Sequence, residues 1–180
     1  IPKKRQTLLF SATIDGNISY LSRKYMISPV EIEAEQYVDA TKLHQVYYEV
    51  EQHVKFSLLV HLLKQEQAKL VLVFCNTRRN ADFVSKNLHF AGVDAIAIHG
   101  GFSQEKRTRT MSHFSSQKTF VLVCTDIAAR GLDIKGVSHV YNYDIPKDDK
   151  DYIHRVGRTA RAGKEGKAIS LLSQRDFDSF

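Results

Sequence analysis

The stretch KLVLVFCN, Lys69–Asn76, contains six consecutive apolar residues, Leu70 to Cys75, closed by a polar Asn. A short unbroken run of this kind suits a strand covered on both faces, because a strand with one wet face would alternate apolar and polar residues. A second such run, FVLVC, lies within Thr119–Thr125. Working outward from these two, His44–Glu51, Asp94–His99, Val137–Tyr143 and Lys167–Ser173 also read as strands. Segments of helical period lie between them. Lys55–Gln65 carries Phe56, Leu59, Val60 and Leu63 on one face, and Arg78–Ala91, capped by Thr77, carries Ala81, Val84, Leu88 and Ala91. Strands alternating with helices predict an α/β domain with a mainly parallel sheet sandwiched by helices. In such sheets ligands gather at the carboxyl ends of the strands, so the loops after Asn76, His99 and Thr125 are the places to search.

The first part of the chain has a different pattern. Thr7–Ala12 reads as another apolar strand, Ile14–Met26 as a helix halted at Ser28-Pro29, and Val30–Glu33 as a short extended piece. Ala34–Lys42 shows no apolar period. The organisation this suggests is a tail of a preceding domain over residues 1–35, a linker over 36–43 and one main domain over 44–180. With no initiating Met, the chain reads as an excised segment. A strand at Thr7–Ala12 would then have lost its own sheet, and is expected to dock onto the main domain or onto a second copy as a non-native dimer.

Composition sets the broad class. The chain has 180 residues, 43% hydrophobic and 26% charged, enough to bury a core without disulfides or metals. No apolar run approaches the length of a membrane span and no leader is visible, so an intracellular protein, cytoplasmic or nuclear, is expected. Cys75 and Cys124 lie inside Val-rich runs without the close spacing of a metal or redox pair, which favours small buried residues in a reducing compartment. The net charge of +6 says little by itself; its distribution says more. Between Tyr152 and Lys167, Arg155, Arg158, Arg161, Lys164 and Lys167 face a single anion, Glu165, a balance suited to phosphates.

That basic stretch contains HRVGRTAR, His154–Arg161. On a continuous helix His154, Arg158 and Arg161 would form one stripe, with Arg155 pointing elsewhere. Arginine forks grip phosphoryl oxygens, and Gly157 lets another surface come close. The same spacing also fits an exposed helix end stopped at Gly163. TDIAARGLD, Thr125–Asp133, begins where a central strand ends and supplies a hydroxyl, two acids and Arg130; its plain alternative is a tight connection capped by Asp126. Thr77-Arg78, the Gly100-Gly101 pair, and Gln104 and Arg107 behind a Ser103 cap fall on the same edge. Thr77, Arg78, Gly101, Arg107 and Thr125 would together follow a sugar-phosphate chain without reading bases.

Together HRVGRTAR, TDIAARGLD, LVFCNT (Leu72–Thr77), the QxxR of Gln104–Arg107 and SAT (Ser11–Thr13) resemble, in order and spacing, the C-terminal motif set of DEAD-box RNA helicases. The resemblance covers nearly the whole chain and implies a RecA-like helicase C-terminal domain. It implies that Arg158 and Arg161 act catalytically on the ATP γ-phosphate, that Asp133 meets the ribose, and that Thr77, Arg78, Gly101, Arg107 and Thr125 hold the RNA backbone. Ser11, Thr13, Arg130 and His154 would couple this domain to an N-terminal RecA-like domain. One departure is Ala160, where the family often has glycine, a change that favours continued helix. No GxxxxGK[ST] loop and no DEAD tetrapeptide occur in the sequence. The resemblance therefore assigns ATP and Mg2+ mainly to the other domain. No bound cofactor and no metal site are expected in this piece, which alone should be inactive. Two alternatives remain open here: a DNA-directed helicase, disfavoured because such enzymes usually place Gln where His154 stands, and a stand-alone RNA- or protein-binding module on the same fold.

Overall fold

A computed structural model describes residues 2, 4–11, 14, 16–32, 41–66, 68–129, 132, 134–161 and 163–179. The chain divides into two compact units, Ile1–Gln36 and Tyr37–Phe180. In the first, α1 spans Gly16–Tyr25. The chain leaves it through Ser28, whose φ of 46° sets up the turn into Pro29. The strand expected at Thr7–Ala12 is not formed. Residues 7–11 pair with nothing in a sheet, Phe10 is 87% exposed, and Ala12 lies outside the described residues. Apolar sequence is not sufficient for a strand, which also needs a neighbouring ladder for its backbone groups. Residues 30–32 likewise join no sheet.

The second unit carries the six expected strands: β1 Leu43–Glu49, β2 Leu70–Phe74, β3 Ala95–Ile98, β4 Val121–Cys124, β5 Val137–Asn142 and β6 Gly166–Leu172. They form one sheet in the order β1-β6-β5-β2-β4-β3, and every pairing is parallel. The run that decided the fold is central and wholly buried: β2 lies between β4 and β5, and its residues are at most 4% exposed. Parallel order demands crossovers, and helices supply them. α2 (Lys55–Gln65) and α3 (Arg78–Phe90) cover one face, where Leu59, Leu63, Val84 and Leu88 meet Val71, Val73, Val123 and Ile169. α4 (Gln104–Ser115) and the short α5 (Asp126–Ala129) cover the other, where Phe114 and Ala128 meet Leu72, Phe74, Leu122 and Val140. α6, Asp149–Val156, precedes β6. The caps follow the sequence: Thr77, Ser103 and Asp148 side chains accept from the backbone N–H three residues on. Cys75 and Cys124 sit on opposite sheet faces, fully buried, and burial pushes both thiols up, as befits inert core residues.

After β6 the chain enters a 3-10 helix, Gln174–Ser179, tied down by a buried ion pair. Lys55, 1% exposed, donates to the Asp176 carboxylate at 2.8 Å, and the same oxygen accepts the Ser173 N–H at 2.8 Å and hydroxyl at 2.6 Å. Burial pushes the Asp176 carboxyl up, but the Lys55 and Ser173 donors outweigh it and hold the carboxyl below its ordinary value. A lowered folded value means that the contribution to stability is complete above the unfolded value, about pH 4, and is lost as pH falls through the folded value. Asp176→Asn should therefore destabilise the chain by about 1–3 kcal/mol in urea melts at pH 7. The gap to the unmodified chain should narrow in melts below about pH 4; a gap of the same size at both pH values would contradict the assignment.

Candidate functional site

The carboxyl ends of β2, β3, β4 and β5 meet along one edge of the sheet, and most of the singled-out side chains lie along it. Thr77 caps α3, its hydroxyl oxygen accepting the Asn80 N–H at 3.1 Å. Arg78 follows, exposed, and its side chain runs over the loop after β3. There a Cβ on Gly100 would lie 3.2 Å from the Arg78 guanidinium, and one on Gly101 3.1 Å from the His99 ring. Both glycines are needed for this close approach. From α4, Arg107 reaches across to the loop after β4, where it meets the Ala128 carbonyl at 3.5 Å. Its Nε is buried without a partner among the described residues. Thr125 directly follows β4, 7% exposed, and its carbonyl accepts the N–H groups of Ala128 and Ala129.

The HRVGRTAR segment departs from its expected form. The helix stops at Val156, so His154, Arg158 and Arg161 do not share a helical stripe. Gly157 caps the helix, Arg158 and Thr159 follow in tight turns, and Ala160 adopts a φ of 53°. The expectation that Ala160 favours continued helix is thus overturned; this left-handed position is one that glycine fills with less strain. Tertiary anchoring explains the break. Thr159, fully buried, donates to the carbonyls of Val137 and Ser138 at 2.8 and 3.0 Å, and Gly166 backs directly onto it. A Cβ at Gly166 would lie 2.3 Å from the Thr159 hydroxyl.

Beyond the break the two arginines differ from ordinary surface cations. Arg158 is half-buried: one Nη donates to the Leu132 carbonyl at 3.0 Å, and its Nε is buried with no partner among the described residues. Burial first, and the nearby Arg161 charge second, hold its guanidinium below the usual arginine value. Arg161 is exposed and bonds back to the Gly157 carbonyl. His154 lines a small cleft with Asp126, Asp151 and Arg158, and its Nδ1 is likewise buried and unpartnered among the described residues. Two like charges close together, with donors left over, form a site that an anion would stabilise. Thr13, Arg130 and Asp133 lie outside the described residues; Ser11 is described and exposed.

The residue that sequence reasoning placed off the stripe turns out to be central. Arg155 is 1% exposed and fills the space between three strand ends. Its Nε and one Nη grip both oxygens of Asp126, at 2.6 and 2.7 Å. The remaining donors go to the Asn76 side chain at 2.7 Å, the Asn142 side chain at 3.3 Å and the Asp144 carbonyl. Asp144 in turn accepts from the Asn76 N–H at 2.8 Å and the Asn80 amide at 2.6 Å. Asn76, Asn142 and Asp144 were not singled out from sequence. The available signal was Asn142, a polar residue directly after the apolar Val140 and Tyr141, since buried amides are kept where a partner needs them. The network makes Arg155 a matter of stability, apart from any role in turnover. Removing the guanidinium strands the Asp126 carboxylate, so Arg155→Ala should cost about 3–5 kcal/mol in chemical denaturation, with only partial recovery in Arg155→Lys. A loss below about 1 kcal/mol would show that the network is not holding the loops.

Comparison with known proteins agrees with this arrangement. The family described as the helicase conserved C-terminal domain matches residues 54–163. The ATP-dependent RNA helicase CshA of Listeria monocytogenes is 45% identical over 179 residues, covering 98% of this chain and 34% of that protein. The CshA protein of Bacillus subtilis is 41% identical over 178 residues. The chain thus spans about a third of the length of the curated relatives it matches. Among solved structures, the Escherichia coli DEAD-box protein SrmB, bound to regulator of ribonuclease activity A, is 43% identical, with a TM-score of 0.72 over 75% of this chain and 80% of that one. Saccharomyces cerevisiae Dbp5, bound to RNA and ADP BeF3, is 30% identical, with a TM-score of 0.84 over 99% of this chain and 48% of that one. A RecA-like parallel sheet, an arginine pair with donors left over, and these similarities lead to one conclusion: the chain belongs to the DEAD-box proteins, as their helicase C-terminal domain.

Proposed function

We propose that this chain is the mobile half of an intracellular ATP-dependent RNA helicase, which closes with an N-terminal RecA-like domain on RNA and locally separates its strands. The observation that carries the proposal is the Arg158–Arg161 pair, two mutually repelling guanidiniums, with the Arg158 Nε buried and without a partner among the described residues. ATP supplies the γ-phosphoryl group, and Mg2+ neutralises part of its charge, both held mainly by the N-terminal domain. The donors left over on Arg158 fit an anion that arrives from outside the chain, which makes the pair suited to charge developing in phosphoryl transfer. Asp133 is assigned to the ribose. Ser11, Thr13, Arg130 and His154 are assigned to coupling between the domains, with residues 1–35 belonging to the tail of the first. In the isolated chain the exposed run Leu8, Leu9 and Phe10 is the surface through which two copies would associate.

Binding of RNA is assigned to the sugar-phosphate backbone, through Thr77, Arg78, Gly101, Arg107 and Thr125. Thr77 and Thr125 offer single hydroxyls, Gly101 offers only backbone, and Arg78 and Arg107 offer donor forks suited to phosphate; none is an amide side chain able to pair with a base edge. Arg107→Ala in this chain should weaken binding of single-stranded RNAs of different sequence alike and reduce the salt slope by about one. Altered base preference with unchanged affinity would refute the assignment.

In the protein carrying both domains, Arg158→Ala and Arg161→Ala should each lower kcat strongly. An arginine finger contributes about 10³ to 10⁵ in rate, and lysine should rescue little because it lacks the fork. Steady-state ATPase assays decide it: a kcat within about threefold of the unmodified protein, roughly 0.7 kcal/mol, would leave only an ordinary surface pair.

A further inference from the structure

The loop after β3 contains a histidine that no role above uses. His99 is 5% exposed, directly follows β3, and packs against Phe102 with ring centroids 4.2 Å apart and the ring planes tilted by 58°. Its two nitrogens are both engaged. Nδ1 lies 3.2 Å from the Gly101 N, and Nε2 lies 2.9 Å from the Asp82 carboxylate on α3. A backbone N–H can only donate, so Nδ1 must be bare and the ring proton must sit on Nε2, pointing at Asp82. The ring is thereby fixed in one tautomer and one orientation. It holds the Gly101 amide from one side, and the Arg78 side chain packs over the same turn. A second backbone bond, Phe102 N–H to the His99 carbonyl at 3.1 Å, closes the turn.

We infer that His99 is a positioning residue for RNA: it presents the Gly100–Gly101 turn and Arg78 in the geometry that a phosphate backbone requires. The inference rests on the proposed RNA rim. Its consequence is that the Gly101 N–H is committed internally, whereas among the described residues the Gly100 N–H makes no hydrogen bond, so Gly100 is the amide this turn offers to a phosphate. Preorganisation is the means. A glycine pair left to itself samples many turns, and fixing one before binding removes that entropy from the association step.

Two amides separate this role from simple packing. Asn places its side-chain oxygen near the Nδ1 position and can still accept from Gly101. Gln reaches Asp82 but leaves Gly101 without its acceptor, and Leu fills space while bonding to neither. The experiment is an anisotropy titration of fluorescein-labelled oligouridylate with this 180-residue chain at low salt. It compares the unmodified chain with His99→Asn, His99→Gln, His99→Leu and Arg107→Ala, each confirmed folded by circular dichroism. Loss of one hydrogen bond that orders the turn predicts about fivefold to tenfold weaker binding for Gln and Leu, with Asn within about twofold of the unmodified chain. If Arg107→Ala weakens binding but Asn is as damaging as Gln, or Gln binds normally, the ring merely packs and the inference is overturned. If neither Arg107→Ala nor any His99 variant changes affinity, the RNA rim itself is misplaced and the inference falls with it.

Discussion

One guanidinium holds the functional edge of this domain together. Every N–H donor of Arg155 is used, on partners from the ends of β2, β4 and β5: Asn76, Asp126, Asn142 and the Asp144 carbonyl. Such an arrangement is a poor bargain if judged by stability alone, since removing an arginine and a carboxylate from water costs several kcal/mol per ion and good geometry only offsets it. What it secures is position. Three loops that would otherwise be set independently are referred to one planar group, with the Phe74 ring 5.1 Å from its centre. The proposed RNA rim begins at Thr77, one residue after Asn76, and the arginine pair begins at Arg158, three residues after Arg155. Both inherit their placement from the same fork.

The same residue type does opposite work within four positions of sequence. Arg155 is buried with all its donors satisfied; Arg158 is half-buried with an Nε that nothing among the described residues satisfies and a cation beside it. In physical terms the first is a completed interaction and the second an incomplete one. Charge counting along HRVGRTAR cannot separate the two, because both contribute one unit to the same basic stretch. Only partner geometry does so, and the partners come from segments 11 to 79 residues away.

This divides what the sequence could reveal from what it could not. All six strands of the main unit and the helices α2 and α3 were legible to within a residue or two, because a parallel sheet covered on both faces forces continuous apolar runs and crossovers force helical periods between them. The functional edge followed from the same logic, since topology alone directs the carboxyl ends of the strands to one side. Three features were not legible, each for a tertiary reason. Residues 7–11 have strand composition but no ladder, and composition carries no information about a missing neighbour. The helix through His154 had only Gly157 as a local reason to stop at Val156; Thr159 bonding to β5, with Gly166 pressed against it, fixes the break from outside. Arg155 looked like the odd residue of a stripe because the stripe assumed a helix that does not continue.

The completeness of the Arg155 network also bears on how such a domain can move. A switch needs two arrangements of similar energy, and a buried fork with every donor filled has no second set of partners to move to. Breaking any one of its bonds leaves a buried polar group without solvent, at a cost of about 1–3 kcal/mol. Internal rearrangement of the edge is therefore disfavoured, and the edge moves as one body with the sheet that carries it. Under the proposed function, RNA on the rim and the triphosphate facing Arg158 are then linked because both are fixed to one rigid body. Closing that body on either ligand brings the site for the other into place, a coupling that follows from shared rigidity and requires no signal relayed through the sheet.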